Sequence, residues 1–356
     1  MIRKLVIFQI LAISLWAVER QATLRMAGPL VHPPTGLNVW VFQTADIPAD
    51  SVMLPGPVVS ARVGDELQLE ILNDTDQPQS LYFLGLAETN GYDGFLLPGE
   101  TPTLQPGSST QFYFTFQRTG VFPYFATTGG PLGLQLGLFG VIVVQDSVLI
   151  SPAPRLWLAY EQDPRWHTAG WSTNQLNQYV PEFFGLNANV ISPGDDTLGI
   201  EVIFQEESYR YWVVNCGFWL HHYQFQDLNV QVYQRNGYPV DPTYLIDELL
   251  LYPGERAEVV LQPNGPDPRV RLTYFAPLET DSVQGLIYLT VLPGAGPTGD
   301  VNLDGRVTVQ DLVLMVRMVL GQGAFSNTQF QMADLNEDEQ LNVQDIVLLV
   351  QRIIGP

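Results

Sequence analysis

Glu66-Leu-Gln-Leu-Glu-Ile-Leu72 alternates polar and apolar side chains, and Gln111-Phe-Tyr-Phe-Thr-Phe116 repeats the pattern further on. In extended backbone, successive side chains point to opposite faces, so each run buries one face and wets the other. Tyr209-Arg-Tyr-Trp-Val-Val214 and Arg256-Ala-Glu-Val-Val-Leu261 are further short runs of strand-forming residues, and Pro, Gly, Asp and Asn punctuate the intervals. From Pro33 to Leu292 the chain therefore reads as all-β, with length enough for two sandwiches. Ser151-Pro-Ala-Pro154 interrupts the pattern near its middle, and Pro293-Gly-Ala-Gly-Pro-Thr-Gly299 ends it.

Composition narrows the partners. A formal net charge of −21 disfavours nucleic acid, whose phosphates need a basic surface, and equally disfavours anionic membranes. Met1-Ile-Arg-Lys4 followed by the apolar run Leu5–Ala17 has the form of a secretory signal, too short to span a bilayer. Cleavage is expected after Ala17 or Ala22, leaving no membrane segment. Cys216 is the single cysteine, so no internal disulfide can form, and the secreted chain must be held by packing and by any ion it binds.

The tail says one thing twice. Asp300-Val-Asn302-Leu-Asp304-Gly305-Arg306-Val-Thr308-Val-Gln-Asp311 is followed, 34 residues on, by Asp334-Leu-Asn336-Glu-Asp338-Glu339-Gln340-Leu-Asn342-Val-Gln-Asp345. Oxygen side chains fall at loop positions 1, 3, 5, 9 and 12, the spacing by which a twelve-residue loop wraps Ca²⁺ with a backbone carbonyl at position 7. Each loop leads into an apolar helix ending at Gly321 or Gly355.

Asp at position 12, a loop with only a following helix, and the duplication together resemble a type I dockerin, a module that plugs a secreted protein into a cohesin. The resemblance implies two Ca²⁺ ions. By position, the first would be held by Asp300, Asn302, Asp304, Thr308 and Asp311 with the carbonyl of Arg306, and the second by Asp334, Asn336, Asp338, Asn342 and Asp345 with the carbonyl of Gln340. It also implies that loop positions 10 and 11, Val309-Gln310 and Val343-Gln344, help choose the partner; they are identical in both repeats. Glu339 stands where the first loop has Gly305, which weakens the second site, because a residue with a Cβ must take a positive φ there at about 1 kcal/mol. So small a module, crowded with acids, should couple its folding to metal.

Upstream, Pro55-Gly-Pro-Val-Val-Ser-Ala-Arg-Val-Gly64, Gly120-Val-Phe-Pro-Tyr-Phe-Ala126 and Gly137-Leu-Phe-Gly-Val-Ile-Val-Val144 resemble the first cupredoxin domain of multicopper oxidases. Tyr209-Arg-Tyr-Trp-Val-Val-Asn-Cys-Gly217 and Ile246-Asp-Glu-Leu-Leu-Leu-Tyr-Pro-Gly-Glu-Arg256 resemble a later domain of that family. Such enzymes hold copper in His-x-His pairs and a His-Cys-His segment, the ligands copper prefers. Here the first pair aligns with Tyr82 and Leu84 and the next with Phe125 and Thr127; Gln224 and Gln226 stand at a further pair, and Thr273–Pro277 at the His-Cys-His segment. With only His32, His167, His221 and His222 available, a full copper set is excluded by counting, and no copper is expected. His221-His222 reads as a turn with surface imidazoles, and Cys216 as a small buried hydrophobe.

The expected organisation is thus a signal peptide over 1–22, cupredoxin-like Greek-key sandwiches over 33–148 and 152–293, a linker over 294–299 and a small α-helical dockerin over 300–356. Glu206-Glu207 and Asp247-Glu248 read as surface charge, and Trp157, Trp166, Trp171 and Tyr160 as core rather than a sugar platform. The leading expectation is a secreted, non-catalytic surface or assembly protein, attached to a cohesin-like partner or a neighbouring subunit. The extended segment Ala22–Pro34 is available for exchange between copies. A polysaccharide-binding component of a cellulosome-like complex, and an oxidoreductase with a reduced metal set, are the alternatives.

Overall fold

A computed structural model describes residues 19–86, 104–126, 132–145, 155–168, 179–205, 207–276, 282–292, 298–302, 306–320, 327–336, 338 and 340–354. The expected signal segment up to residue 18, the linker residues 293–297, and Asp304, Gly305, Glu337 and Glu339 lie outside them, as do Thr127, Trp171 and Glu206.

The chain is mainly β, with two cupredoxin-like sandwiches and a small helical C-terminal part. The first sandwich uses β1 (Glu19–Val31), β2 (Asn38–Thr44), β3 (Val58–Arg62), β4 (Glu66–Asn73), β5 (Leu81–Phe83), β6 (Ser109–Thr115), β7 (Gly120–Ala126) and β8 (Phe139–Gln145), with a short helix α1 (Leu132–Leu136) before β8. One sheet runs β2-β1-β4-β6 and the facing one β3-β8-β7-β5. The alternation in the sequence becomes register: Leu67, Leu69 and Ile71 of β4 point inward with Phe112 and Phe114 of β6, across paired Leu69 and Phe112.

β1 departs from expectation. It is no loose arm: it pairs parallel with β4 from Glu19 to Met26 and antiparallel with β2 from Leu24 to Val31, so it is interior to its sheet. Leu24 and Met26 lie in the core, and the Arg20 guanidinium is paired with Asp65. The first sandwich therefore includes Glu19–Val31, ahead of the expected boundary at 33, and cleavage after Ala22 would cut inside a strand. Within Ala22–Pro34, Ala22–Met26 already pairs with β4 and Leu24–Val31 with β2, so the segment is engaged in its own sheet rather than held out for exchange.

The second sandwich uses β9 (Arg155–Gln162), β10 (Phe183–Leu186), β11 (Asn189–Ile191), β12 (Thr197–Phe204), β13 (Tyr209–Asn215), β14 (Leu220–Gln226), β15 (Leu228–Arg235), β16 (Tyr238–Ile246), β17 (Glu248–Leu251), β18 (Arg256–Pro263), β19 (Arg269–Phe275) and β20 (Ser282–Leu292). A seven-stranded sheet β11-β10-β9-β13-β18-β15-β16 faces a five-stranded sheet β12-β20-β19-β14-β17. Trp157, Ala159, Tyr211 and Val213 point into this core; Leu158, Tyr160, Trp212, Val214 and Cys216 point out of it.

That outward set is buried too, against Val121, Phe139, Val141 and Val143 of the first sandwich, so the two halves share a third core. This is why β7 and β8 read as near-continuous apolar runs: both of their faces are covered. A buried amide clasps the junction. Gln135 of α1 donates to the Glu161 carbonyl (2.9 Å) and to Tyr179 Oη (2.8 Å), and its Oε1 accepts from the Asp163 amide (3.2 Å). A second amide bridges the halves, Gln234 Nε2 donating to Thr119 Oγ1 at 2.8 Å.

The tail folds around α2 (Val309–Val319), α3 (Asn327–Ala333) and α4 (Val343–Ile354) over a small core of Val301, Met315, Met318, Ala333 and Leu349. Among the described residues no helix is long and apolar enough to cross a membrane.

Candidate functional site

The two acidic loops are built alike. In the first, the Asp311 carboxylate accepts from the Asn302 amide (2.9 Å) through one oxygen and from the Thr308 amide (2.7 Å) through the other, bending the loop back on the start of α2. Thr308 is the helix cap, its hydroxyl accepting from the Gln310 amide at 3.2 Å and forming a capping box with Asp311. In the second, Asp345 accepts from the Leu335 amide (3.0 Å) and the Asn342 amide (2.9 Å), and Asn342 Oδ1 accepts from the Gln344 amide (2.8 Å). Asp338 closes a tighter turn, accepting from the Gln340 amide at 2.9 Å while its own amide donates to Asp334 Oδ1 at 3.2 Å.

Asp300, Asp311, Asp334 and Asp345 are buried in a module with a small core. Several carboxylates taken out of water together repel one another, and a bound cation would relieve that repulsion. Among the described residues no group of three or more His, Cys, Asp or Glu is placed to hold a metal. The sets expected from the spacing are mixed, adding Asn302, Thr308, Asn336, Asn342 and backbone carbonyls to the acids, and Asp304 lies outside the described residues. An all-oxygen set with buried acids fits a hard cation of the calcium type. The loop positions 10 and 11 are split between exposed Val309 and Val343, at 60% and 63%, and the adjoining Gln310 and Gln344, also exposed.

The copper positions present a different picture. Tyr82 and Phe125 lie on paired β5 and β7, with ring centroids 4.9 Å apart, and Leu84 follows them on the same outward face. Aromatic and aliphatic surface thus occupies the places where the family resemblance would set imidazoles. Leu84, Phe125 and Phe139 meet Cys216, Phe218 and Gly254 around a cavity of about 380 Å³ between the sandwiches. The Cys216 thiol is pushed well up by burial and by the nearby Glu161 charge, so it is an inert hydrophobe rather than a thiolate ligand.

His221 and His222 are not in a turn. They lie on β14, where side chains alternate, so His221 points inward and His222 outward. His221 is fully buried and donates through Nε2 to Glu161 at 3.0 Å. His222 pairs with Glu248 at 2.8 Å, which gives Glu248 a structural partner. Trp157, Tyr160 and Trp166 are buried in packing, leaving no sugar platform among them.

Glu161 was not singled out from the sequence, although a lone acid in Arg155-Leu-Trp-Leu-Ala-Tyr-Glu161-Gln162 is a signal. Its carboxylate accepts from the Phe218 amide, from the Trp219 amide (2.7 Å) and from His221, fixing the turn Asn215–Trp219. A Cβ on Gly217 would strike that carboxylate, so the turn requires glycine.

Comparison with known proteins agrees with this architecture. Residues 298–354 match the type I dockerin domain family, and residues 44–148 match the multicopper oxidase family. The oxidoreductase OpS5 of Beauveria bassiana (strain ARSEF 2860) is 23% identical over 235 residues, covering 60% of this chain and 39% of that protein. The chain thus spans well under half the length of that relative. Among solved structures, the blue copper oxidase from Nitrosomonas europaea superposes with a TM-score of 0.61 at 15% identity, over 76% of this chain and 86% of that one. The copper nitrite reductase of the same organism gives 0.58 at 17% identity, over 76% and 94%. The C-terminal match is thus to type I dockerins and the upstream match to multicopper oxidases, and the structural neighbours share the cupredoxin-like fold of the sandwiches.

Proposed function

We propose that this is a secreted, non-catalytic assembly protein whose cupredoxin sandwiches are displayed through a calcium-dependent dockerin on a cohesin-type partner. The observation that supports it best is the pair of loops in which Asp311 and Asp345 each tie the loop's beginning to the head of the following helix. Ca²⁺ would be held by Asp300, Asn302, Asp304, Thr308, Asp311 and the Arg306 carbonyl, and by Asp334, Asn336, Asp338, Asn342, Asp345 and the Gln340 carbonyl. When bound, it supplies the positive charge that lets these acids sit together. The helices then present Val309-Gln310 and Val343-Gln344, with Val313 and Val347 exposed one turn further on, as two similar faces for one partner. The sandwiches, from Glu19 to Leu292, are the cargo, and residues 293–299 the connection. Extracellular calcium would keep the loops filled.

The test is a titration of the full chain against cohesin domains, with calcium and with chelator. Saturable binding lost on chelation is expected; binding indifferent to chelator overturns the reading. Copper analysis and a phenol-oxidation assay on the same sample address the oxidoreductase alternative, which stoichiometric copper with turnover would restore.

A further inference from the structure

The cavity between the sandwiches has walls that nothing in the assembly role uses. Leu84, Phe125 and Phe139 come from the first sandwich; Cys216, Phe218 and Gly254 come from the second. Among the described residues no charged side chain lines it. The Asn215 side chain on its wall has its amide engaged: Nδ2 donates to the carbonyls of Trp219 (2.8 Å) and Leu251 (2.9 Å), and Oδ1 accepts from the Gly217 amide (2.8 Å). Nothing there would compensate a charge stripped of water, so an ionic guest is disfavoured.

The walls are also set in advance. Glu161 holds the Phe218 and Trp219 amides, Asn215 holds both ends of the same turn, and Gln135 clamps the strand that carries Glu161 to α1. A preformed site spares a ligand the cost of ordering it. Gly254, at φ +78°, takes the left-handed backbone that favours glycine, beside Leu84 across the cavity.

We infer that this inter-sandwich cavity binds one neutral, compact, ring-containing hydrophobic molecule. Its 380 Å³ falls within the range of small-molecule sites, which are mostly apolar and rich in aromatic walls. An apolar cavity of about 150 Å³ takes benzene, so this one scales to roughly 15 non-hydrogen atoms. Phe125, Phe139 and Phe218 offer ring edges and faces to a flat guest. The side chains that stand at the copper positions, Leu84 and Phe125, are themselves walls of the site. The same two residues that remove imidazole from this face make it suitable for a hydrocarbon.

Calorimetric titration of the full chain with 1-bromonaphthalene tests this. One molecule per chain should bind with a Kd of roughly micromolar order. 1-Naphthalenesulfonate, of similar shape but charged, should bind at least about tenfold more weakly. Leu84→Trp should fill the space and lower affinity by at least about tenfold, with the melting temperature held. No binding, equal binding of the sulfonate, or full affinity in a folded Leu84→Trp chain overturns the inference. Should that variant fail to fold, anomalous scattering from bromine in a soaked wild-type crystal decides. A peak between Phe125 and Phe218 supports the site, and its absence there refutes it.

Discussion

Glu161 shows how much one buried side chain can organise. It answers two backbone amides and the only fully buried imidazole, and sits against a glycine that leaves it room. Replacing it with Ala leaves His221 Nε2 and the Phe218 and Trp219 amides without their acceptor, all in a dry interior. Removing one partner from such a set costs about 3–5 kcal/mol, whereas Gln can keep part of the geometry. We expect Glu161→Ala to shift the denaturant midpoint strongly and Glu161→Gln clearly less. Equal midpoints for Ala and wild type in urea unfolding would contradict this. The sequence displayed the acid within an apolar run, but its partners lie about 60 residues away, at Phe218, Trp219 and His221, and only strand pairing brings them together. The histidines were likewise misread as a turn because Leu220–Gln226 holds more polar residues than a strand usually does; the inward member tolerates this only because Glu161 meets it.

Strands with one wet face, such as β4 and β6, were legible because alternation maps directly onto burial. β1 was not. Its polar outer face and its position next to a leader-like run disguised a central strand, and Leu24 and Met26 were its only plain inward markers. A chain beginning at Thr23 loses the Arg20 partner of Asp65 and four residues of pairing with β4. It should melt at a lower temperature than one beginning at Glu19, as calorimetry would show; identical melting would mean that these residues contribute nothing to the sheet. The calcium loops, by contrast, were legible in their spacing, since ligand positions are set by local chain geometry. Their helices rest on a core of only five buried apolar residues among those described, so chelation should abolish the far-UV helical signal while leaving the β signal and near-UV signal of the sandwiches. A helical signal unmoved by excess chelator would separate the folding of α2 and α4 from metal.

The two sandwiches behave as one body through their shared core, and its edge carries a pH dependence. His167, in the turn after β9, donates through Nδ1 to the Asn38 carbonyl at the start of β2 (2.7 Å), joining the halves directly. Burial lowers its pKa, opposed by the Asn38 bond and by Asp163, and assisted by His32. His32, buried beside Thr35, is lowered by burial as well. Both imidazoles are therefore neutral in the folded chain at a pH where the unfolded chain already binds protons. Above the ordinary histidine pKa of about 6.5 neither state takes up protons and stability is level. As pH falls below that value the unfolded state gains protons first, so stability declines until the folded-state pKa values are passed, where the loss levels off. The melting temperature of the sandwiches should thus be flat from about pH 8 to 7 and fall as the pH drops below about 6.5. His167→Gln keeps a donor for Asn38 without a titrating ring, and should flatten part of that fall. A slope unchanged in this variant and in His32→Gln together would place the acid sensitivity elsewhere.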